Sequence, residues 1–391
     1  MPMETCKPMS PLAARLDAAR AQTDLLFDSL DPKALYQRPV VDRHRLIFYL
    51  GHLEAFDWNL VCRGALAEPS FHESFDKLFA FGIDPEPNGA PADQPSDWPS
   101  EKEVRGYGAR TRQAFDDGLA RVPEQILQVA IEHRLMHAET LAYLFHGLPY
   151  EVKRGPAPVV SAGAAPENPA VEIPAGTAVL GRPRGDGFGW DNEFDQHSVE
   201  VPAFQISRYK ISNGEYLECI RETGAPAPHF WQDRDRHWFL RGMFGEIPLP
   251  LDWPVSVTQS EAAAYATWRG GSLPTEVQFH RAAEDAAPVN ANFERWDPVP
   301  VNSSDGRSRH GVAQLVGNGW EWTSTVFGPF PGFEPFPFYP GYSANFFDGN
   351  HFVMKGGSPR TAASMLRPSF RNWFRPDYRY VYAGFRIVYG I

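Results

Sequence analysis

Between Arg154 and Pro169 the chain runs Arg-Gly-Pro-Ala-Pro at one end and Asn-Pro at the other, with Pro, Ala and Gly dominant and no apolar periodicity. Such a stretch supports neither helix nor strand and reads as a linker, so the residues on its two sides must fold separately. The organisation this predicts is a helical segment over 1–153, a linker over 154–170 and a second domain over 171–391. A length of 391 residues suits two or three domains, and 43% hydrophobic against 22% charged residues is enough to bury a core in each.

The first segment reads as helices. Pro11 to Arg20 is rich in strong helix formers, with Leu12 and Leu16 on one face. His44 to Val61 sets Ile47, Leu50 and Phe56 among polar positions at helical spacing. Ser100-Glu101-Lys102-Glu103 has the form of a helix start, a capping Ser with Glu three places on. A further helix is predicted from Pro123-Glu124 to Phe145, ended by His146-Gly147-Leu148-Pro149. Four helices with one long proline-rich connection, Phe81 to Pro99, predict a bundle. After the linker the pattern changes to short apolar runs broken by Gly, Pro, Asn and aromatics. Only Asn213–Glu222 and Ser260–Arg269 read as helical there, so an irregular, loop-rich β-containing domain is expected, α+β overall.

Several function classes are disfavoured. A net charge of -11 argues against a nucleic-acid binder, which needs a concentrated Lys/Arg face. The longest apolar run, Leu46 to Cys62, contains His52, Glu54 and Asp57, and no run reaches the length of a membrane span. The N-terminus lacks the basic and apolar blocks of a secretory signal. Cys6, Cys62 and Cys219 are few, odd in number and far apart, which speaks against a disulfide framework or zinc ribbon and makes the cytoplasm the expected location.

The chemical signal is His133-Arg134-Leu135-Met136-His137-Ala138-Glu139. Residues i and i+4 of a helix share a face, so His133 and His137 can aim at one point, as two ligands of a transition metal must. His52, in Leu50-Gly51-His52-Leu53, can converge with them inside a bundle. Two helical histidines are more often surface or core groups than ligands, and Glu54 or Asp57 completing a two-His-one-carboxylate set stays open. Glu139 lies about 200° around the helix from His137 and reads as a packing carboxylate.

The second segment adds recognisable strings. Gly317-Asn318-Gly319-Trp320-Glu321-Trp322 resembles the signature of the formylglycine-generating-enzyme (sulfatase-modifying factor) fold, a C-type-lectin-like fold. Ile173-Pro174-Ala175-Gly176, Trp190-Asp191-Asn192-Glu193, Gly271 to Glu276, Lys355-Gly356-Gly357-Ser358 and Ala383-Gly384-Phe385-Arg386 follow in the order expected of that fold. The first segment resembles a DinB-type bundle, with Gly51-His52 and His133-x-x-x-His137-x-Glu139 in matching places. The combination resembles the ergothioneine-type sulfoxide synthases and the related selenoneine synthases, over nearly the whole chain. The resemblance implies nonheme Fe(II) on His52, His133 and His137, with O2 as co-substrate. It further implies a second domain closing over the iron and a sulfur or selenium donor joined to C2 of the imidazole of hercynine. It leaves room for a structural Ca2+ ion, to which the sequence assigns no ligands.

Further residues are implied one at a time. Phe336 to Ser343 resembles a segment with two tyrosines three apart, making Tyr339 the proton or hydrogen-atom donor and leaving Tyr342 to packing. Ser369-Phe370-Arg371-Asn372-Trp373 resembles the hercynine-contacting segment, with Asn372 at the betaine carboxylate and Trp373 facing the trimethylammonium or serving as core. Enzymes that use γ-glutamylcysteine carry an acidic residue and an arginine where this chain has Phe374 and Tyr378. Met136 stands where many have a polar residue, and Gly108 follows Tyr107 on the helix that bears their arginines. Aromatic replacements leave an amino acid's charges unpaired but suit the C–H faces of a sugar. Selenoneine synthesis with a selenosugar donor therefore ranks first, and a cysteine or γ-glutamylcysteine sulfoxide synthase second. Formylglycine-generating activity would need a cysteine pair where Cys219 is alone. A non-catalytic binding module leaves the histidines unexplained, and a zinc thiol transferase is the remaining rival.

Overall fold

Ser10 opens the first helix by accepting from the Ala13 amide at 3.2 Å, with Pro11 pre-set for the first turn. In a computed structural model describing residues 10–80, 92–160, 163–303 and 306–390, the chain forms two units, Met1–Gly155 and Pro156–Ile391. Cys6 and the start of the connection at 81–91 lie outside the described residues, as do 161–162 of the linker.

The first unit holds α1 (Pro11–Asp28), α2 (Leu46–Asp57), α3 (Glu73–Leu78), α4 (Glu101–Gly118) and α5 (Glu124–His146). Ser100 and Glu103 cap α4 reciprocally, Ser100 Oγ accepting from the Glu103 amide at 3.3 Å and Glu103 from the Ser100 amide at 2.8 Å. The short α3 was not expected. Neither was the burial of α2, which sheds the polar face that its sequence suggests. Leu46 to Tyr49, Gly51 to Ala55 and Asp57 are buried, with only Leu50 and Phe56 half-covered. The helix does not begin at His44 but at Leu46, and beyond Asp57 it widens into a π turn over Trp58–Ala65.

The second unit begins with β1 (Ala170–Ile173), β2 (Gly176–Leu180), β3 (His197–Val201) and β4 (Phe204–Ser207), then α6 (Asn213–Thr223). Next come β5 (Trp231–Arg234), β6 (His237–Arg241), β7 (Glu246–Pro248), α7 (Gln259–Trp268) and α8 (Glu276–Ala282). It closes with β8 (Trp320–Val326), β9 (Phe352–Lys355), β10 (Asn372–Phe374), β11 (Ala383–Gly384) and β12 (Val388–Tyr389). Among the described residues the strands make four small sheets, ordered β1-β4-β12, β10-β9-β8-β11, β2-β3 and β5-β6-β7. α8, capped by Thr275 and Gln278, is a helix that the Gly271–Glu276 string had not announced.

The motif strings of the second unit are structural. Glu321 accepts from Lys210 at 2.6 Å and from Arg386 Nε through both oxygens at 3.0 Å, all three side chains inaccessible to water. A buried charge persists only when it is paired and hydrogen-bonded, so the tryptophan-flanked Glu and the closing Arg belong to one cross-brace. β11 lies parallel to β8, pairing Ala383 with Trp320 and Gly384 with Glu321. Gly317 has φ +89°, and a Cβ there would stand 1.9 Å from the Val289 carbonyl oxygen, so no larger residue fits. The linker segment also lies against this unit rather than free. Asn168 accepts from the Tyr209 amide at 2.9 Å and donates to Glu215 at 3.2 Å. Among the described residues no helix is long and apolar enough to cross a membrane.

Candidate metal centre and active site

α2 contributes His52, and α5 contributes His133 and His137 one turn apart. All three are buried, and one ligand atom of each lies within 4.8 Å of the others. Their ring centroids are 4.5–5.3 Å apart. Phe48 stacks on His52 at 5.0 Å and Phe56 on His133 at 3.4 Å, fixing ring planes that would otherwise rotate. Among the described residues no other group of three His, Cys, Asp or Glu side chains is placed to hold a metal ion.

The proton positions follow from the partners. His52 Nδ1 lies 2.7 Å from the Phe79 carbonyl oxygen, which only accepts, so Nδ1 carries the hydrogen and Nε2 offers its lone pair. Phe79 reaches this place because residue 51 is glycine; a Cβ there would come 2.5 Å from the Phe79 ring. His133 Nδ1 and both nitrogens of His137 are buried with no hydrogen-bond partner. Leaving a buried polar atom unpaired costs about 1–3 kcal/mol, and a cation drawn to the lone pairs facing the trio offsets that penalty. Burial holds all three imidazoles neutral, pushing His52 down to about 4 and the other two well below the usual histidine range. Neutral nitrogen is the form that binds Fe(II) or Zn(II), so the trio fits a transition metal with positions left for other ligands.

Glu54 and Asp57 are committed elsewhere. Arg134, buried beside His133, donates to Glu54 at 3.0 Å, to Asp57 at 2.7 Å and to the Leu53 carbonyl at 3.2 Å. Arg112 from α4 donates to Glu54 at 2.7 Å and to both oxygens of Asp24 on α1 at 2.7 Å. Burial alone would raise the Glu54 carboxyl, but the two guanidinium groups hold it down to about 2. These charges tie four helices together around the histidines. The two carboxylates pair with guanidinium groups and so brace the helices beside the trio.

A second anchor sits under α3. Buried Asp76 accepts from Tyr107 Oη at 2.9 Å, Trp58 Nε1 at 3.1 Å and Ser70 Oγ at 2.6 Å. That fixes the helix whose next residue, Phe79, orients His52. Tyr107 thus serves packing from inside α4, while Arg105 and Arg110 on the same helix are exposed.

In the second unit Tyr339 lies half-buried on the 336–343 loop, and burial followed by the charge of Asp191 pushes its phenol up to about 12. It therefore stays protonated at neutral pH, the state a proton donor needs. Tyr342 is buried face to face with Trp190 at 3.9 Å. Trp373 stacks on Phe327 at 4.1 Å and meets Tyr342 edge-on at 5.5 Å. Asn372, next to it on β10, accepts from the Trp373 amide at 2.9 Å. Phe374 and Tyr378 stack on each other at 4.8 Å, an aromatic pair at the positions expected to face the donor. Met136 sits half-buried on α5, directly before His137. Cys219 is buried on α6 with its thiol pushed up by burial, unlike a reactive thiolate.

Arg134 and Asp191 lie inside recognised strings that do not announce what they pair with, and Asp76 and the Phe79 carbonyl lie in no motif. The one signal for the first of them was the pair of acids inside the apolar Leu46–Cys62 run, which must find a cation if that run is buried.

Residues 157–391 match the sulfatase-modifying factor enzyme 1-like domain family, and residues 15–148 match the DinB superfamily. A hercynine oxygenase of Mycolicibacterium thermoresistibile is 33% identical over 75% of this chain and 76% of its own length. Ergothioneine biosynthesis protein 1 of Schizosaccharomyces pombe is 30% identical over 99% of this chain, and the Neurospora crassa protein of that name is 28% identical over 92%. The chain spans 57% and 55% of the lengths of these two fungal proteins.

Proposed function

This chain belongs to the ergothioneine-type sulfoxide synthase family, a DinB superfamily bundle followed by a sulfatase-modifying factor enzyme 1-like domain, and from that premise we propose that it forms a carbon–chalcogen bond at C2 of the hercynine imidazole. The observation that carries the reading is the buried trio His52, His133 and His137, with nitrogen atoms left unpaired around one point. Fe(II) held there would supply open positions for O2 and for the donor's sulfur or selenium anion, together with the one-electron chemistry that O2 requires. The chain's own residues do the rest. Phe79 keeps the His52 lone pair directed inward, and the Arg134 brace keeps the two ligand helices in register. Tyr339 delivers a proton from a phenol that burial pushes up to about 12 and so keeps protonated at neutral pH. Asn372 binds the betaine carboxylate, and the Trp373 face attracts the trimethylammonium group.

The donor in this proposal is a selenosugar. Phe374 stacked on Tyr378 presents apolar faces where an amino-acid donor would need charged partners. A thiol donor is the second reading, favoured by relatives named for ergothioneine biosynthesis. Aerobic incubation of Fe(II)-loaded protein with hercynine and either selenoglucose or γ-glutamylcysteine separates them by product mass. The selenium adduct is expected; a sulfoxide adduct transfers the assignment to the thiol, and failure to consume O2 with either donor overturns the reading.

A further inference from the structure

The Trp190-Asp191-Asn192-Glu193 turn touches both segments named above. Glu193 accepts from Arg367 at 2.8 Å and from Ser369 Oγ at 2.6 Å, and Arg371 donates to the Asn192 carbonyl at 3.4 Å, so one side of the turn holds the approach to Asn372 and Trp373. On the other side Trp190 covers Tyr342 and meets Tyr339 edge-on at 6.5 Å. Asp191 is 1% exposed and takes the Ser343 hydroxyl on Oδ1 at 2.5 Å; burial pushes its carboxyl above the usual carboxylate range, against the Ser343 hydroxyl and the Asn192 and Phe336 amides, which favour the charged form. Phe336 and Ser343 are the two ends of the loop that carries Tyr339. Within that loop the Tyr339 amide bonds to the Phe336 carbonyl at 3.0 Å and the Tyr342 amide to the Tyr339 carbonyl at 3.2 Å. Asp191 Oδ2 has no hydrogen-bond partner despite its burial. A carboxylate buried at that expense, where Asn or Ser could serve one hydroxyl, calls for a reason beyond packing.

We propose that Asp191 is a positioning residue for Tyr339, its carboxylate drawing together both ends of the 336–343 loop so that the phenol holds one orientation. The proposal rests on Tyr339 being the proton donor for its kinetic consequence, but the loop geometry is testable without turnover. Ser343 acts with Asp191 and is replaceable only in part, because the Phe336 side of the loop keeps its own attraction to the carboxylate.

The experiment uses the full chain with 3-fluorotyrosine placed at position 339 and, separately, at the buried core position Tyr265. The 19F spectrum is recorded for the unsubstituted protein, Asp191→Ala, Asp191→Asn and Ser343→Ala, with circular dichroism confirming the fold of each. Asp191→Ala should replace one sharp resonance at position 339 by a broad or split one while position 265 is unchanged; Asp191→Asn and Ser343→Ala should give intermediate spectra. With Fe(II), hercynine and the productive donor, kcat of Asp191→Ala should fall about 100-fold with KM for hercynine within about threefold, and Asp191→Asn should recover part of it. A folded Asp191→Ala protein with an unaltered sharp resonance at 339 overturns the proposal, and so does broadening at 339 and 265 alike, which marks general loosening. If Tyr339→Phe keeps full turnover, the donor role of Tyr339 fails by itself, and the 19F result still decides what Asp191 does. Should Asp191→Ala not fold, Asp191→Asn and Ser343→Ala carry the same two outcomes.

Discussion

In the first unit three histidines from two regular helices are oriented by a carbonyl and two stacked rings, and a buried Arg134 brace keeps the helices in register. In the second unit Tyr339 stands on an irregular loop, and the side chain that pins the loop, Asp191, is 152 residues from its partner Ser343. The first arrangement takes its spacing from helix periodicity, and its long-range bonds, those of Arg134 and of the Phe79 carbonyl, join regular helices or the end of one. The second has no periodicity to use and depends on side chains brought together only by the finished fold. Damage should accordingly differ in kind: loss of a helix-borne ligand abolishes a site that is otherwise intact, whereas loss of a loop anchor blurs a residue that is still present.

The largest effect tests the helical side. His133→Ala and His137→Ala should each abolish stoichiometric Fe(II) binding in an anaerobic titration, and turnover with it. Full iron loading in either variant would falsify the trio as the metal site. Arg134→Ala comes next. It leaves Glu54 and Asp57 buried with fewer counter-charges, so urea denaturation should show a loss of about 3–5 kcal/mol. Replacing Arg134, Glu54 and Asp57 together by apolar residues of similar size should recover much of that loss, which separates a charge imbalance from lost packing volume.

On the loop side, Tyr339→Phe removes only the hydroxyl. Turnover should fall by about 100-fold or more while Fe(II) affinity stays the same. Unequal effects on iron binding and turnover would sharpen the contrast between the units; loss of iron by Tyr339→Phe would break it. The phenol's difference titration against Tyr339→Phe should centre near 12, and a midpoint near the ordinary value of about 10 would contradict the burial of that group.

The contrast also explains what the sequence reveals. His133 and His137 declare themselves through a four-residue interval, and Ser100 with Glu103 announces α4 by a three-residue one, because a helix converts short intervals into shared faces. The same logic mispredicts α2: its spacing suggests an amphipathic helix, yet the charges at Glu54 and Asp57 are buried and paired instead of facing water. The partner that makes this tolerable, Arg134, is on another helix. In the second unit the motif around Trp320 and the closing Gly384-Phe385-Arg386 mark the fold, and their meaning, the Glu321–Arg386 pair, is visible only in three dimensions. Asp191 belongs to a recognisable string, but its bond to Ser343 joins segments with no sequence relation.

The smallest expected effect probes how far the helical pocket relies on its surroundings. Gly51→Ala keeps all three histidines and adds one methyl, yet that methyl would meet the Phe79 ring at 2.5 Å. Phe79 must then move, and its carbonyl moves with it, loosening the bond that keeps the hydrogen on His52 Nδ1. His52 Nε2 would face the centre for only part of the time. A perturbed orienting partner lowers metal affinity by about 10- to 100-fold, and the lower figure is expected because His133 and His137 are untouched. Asp76→Asn should weaken binding by less, since Trp58 and Ser70 can still donate to the amide oxygen while the Tyr107 hydroxyl turns to accept from the amide NH2, which keeps α3 held. Fe(II) titrations of the two variants, ranked in that order, would show that the pocket depends on the Phe79 carbonyl; equal affinity in Gly51→Ala and the unsubstituted chain would show that the ring stacks suffice to orient His52.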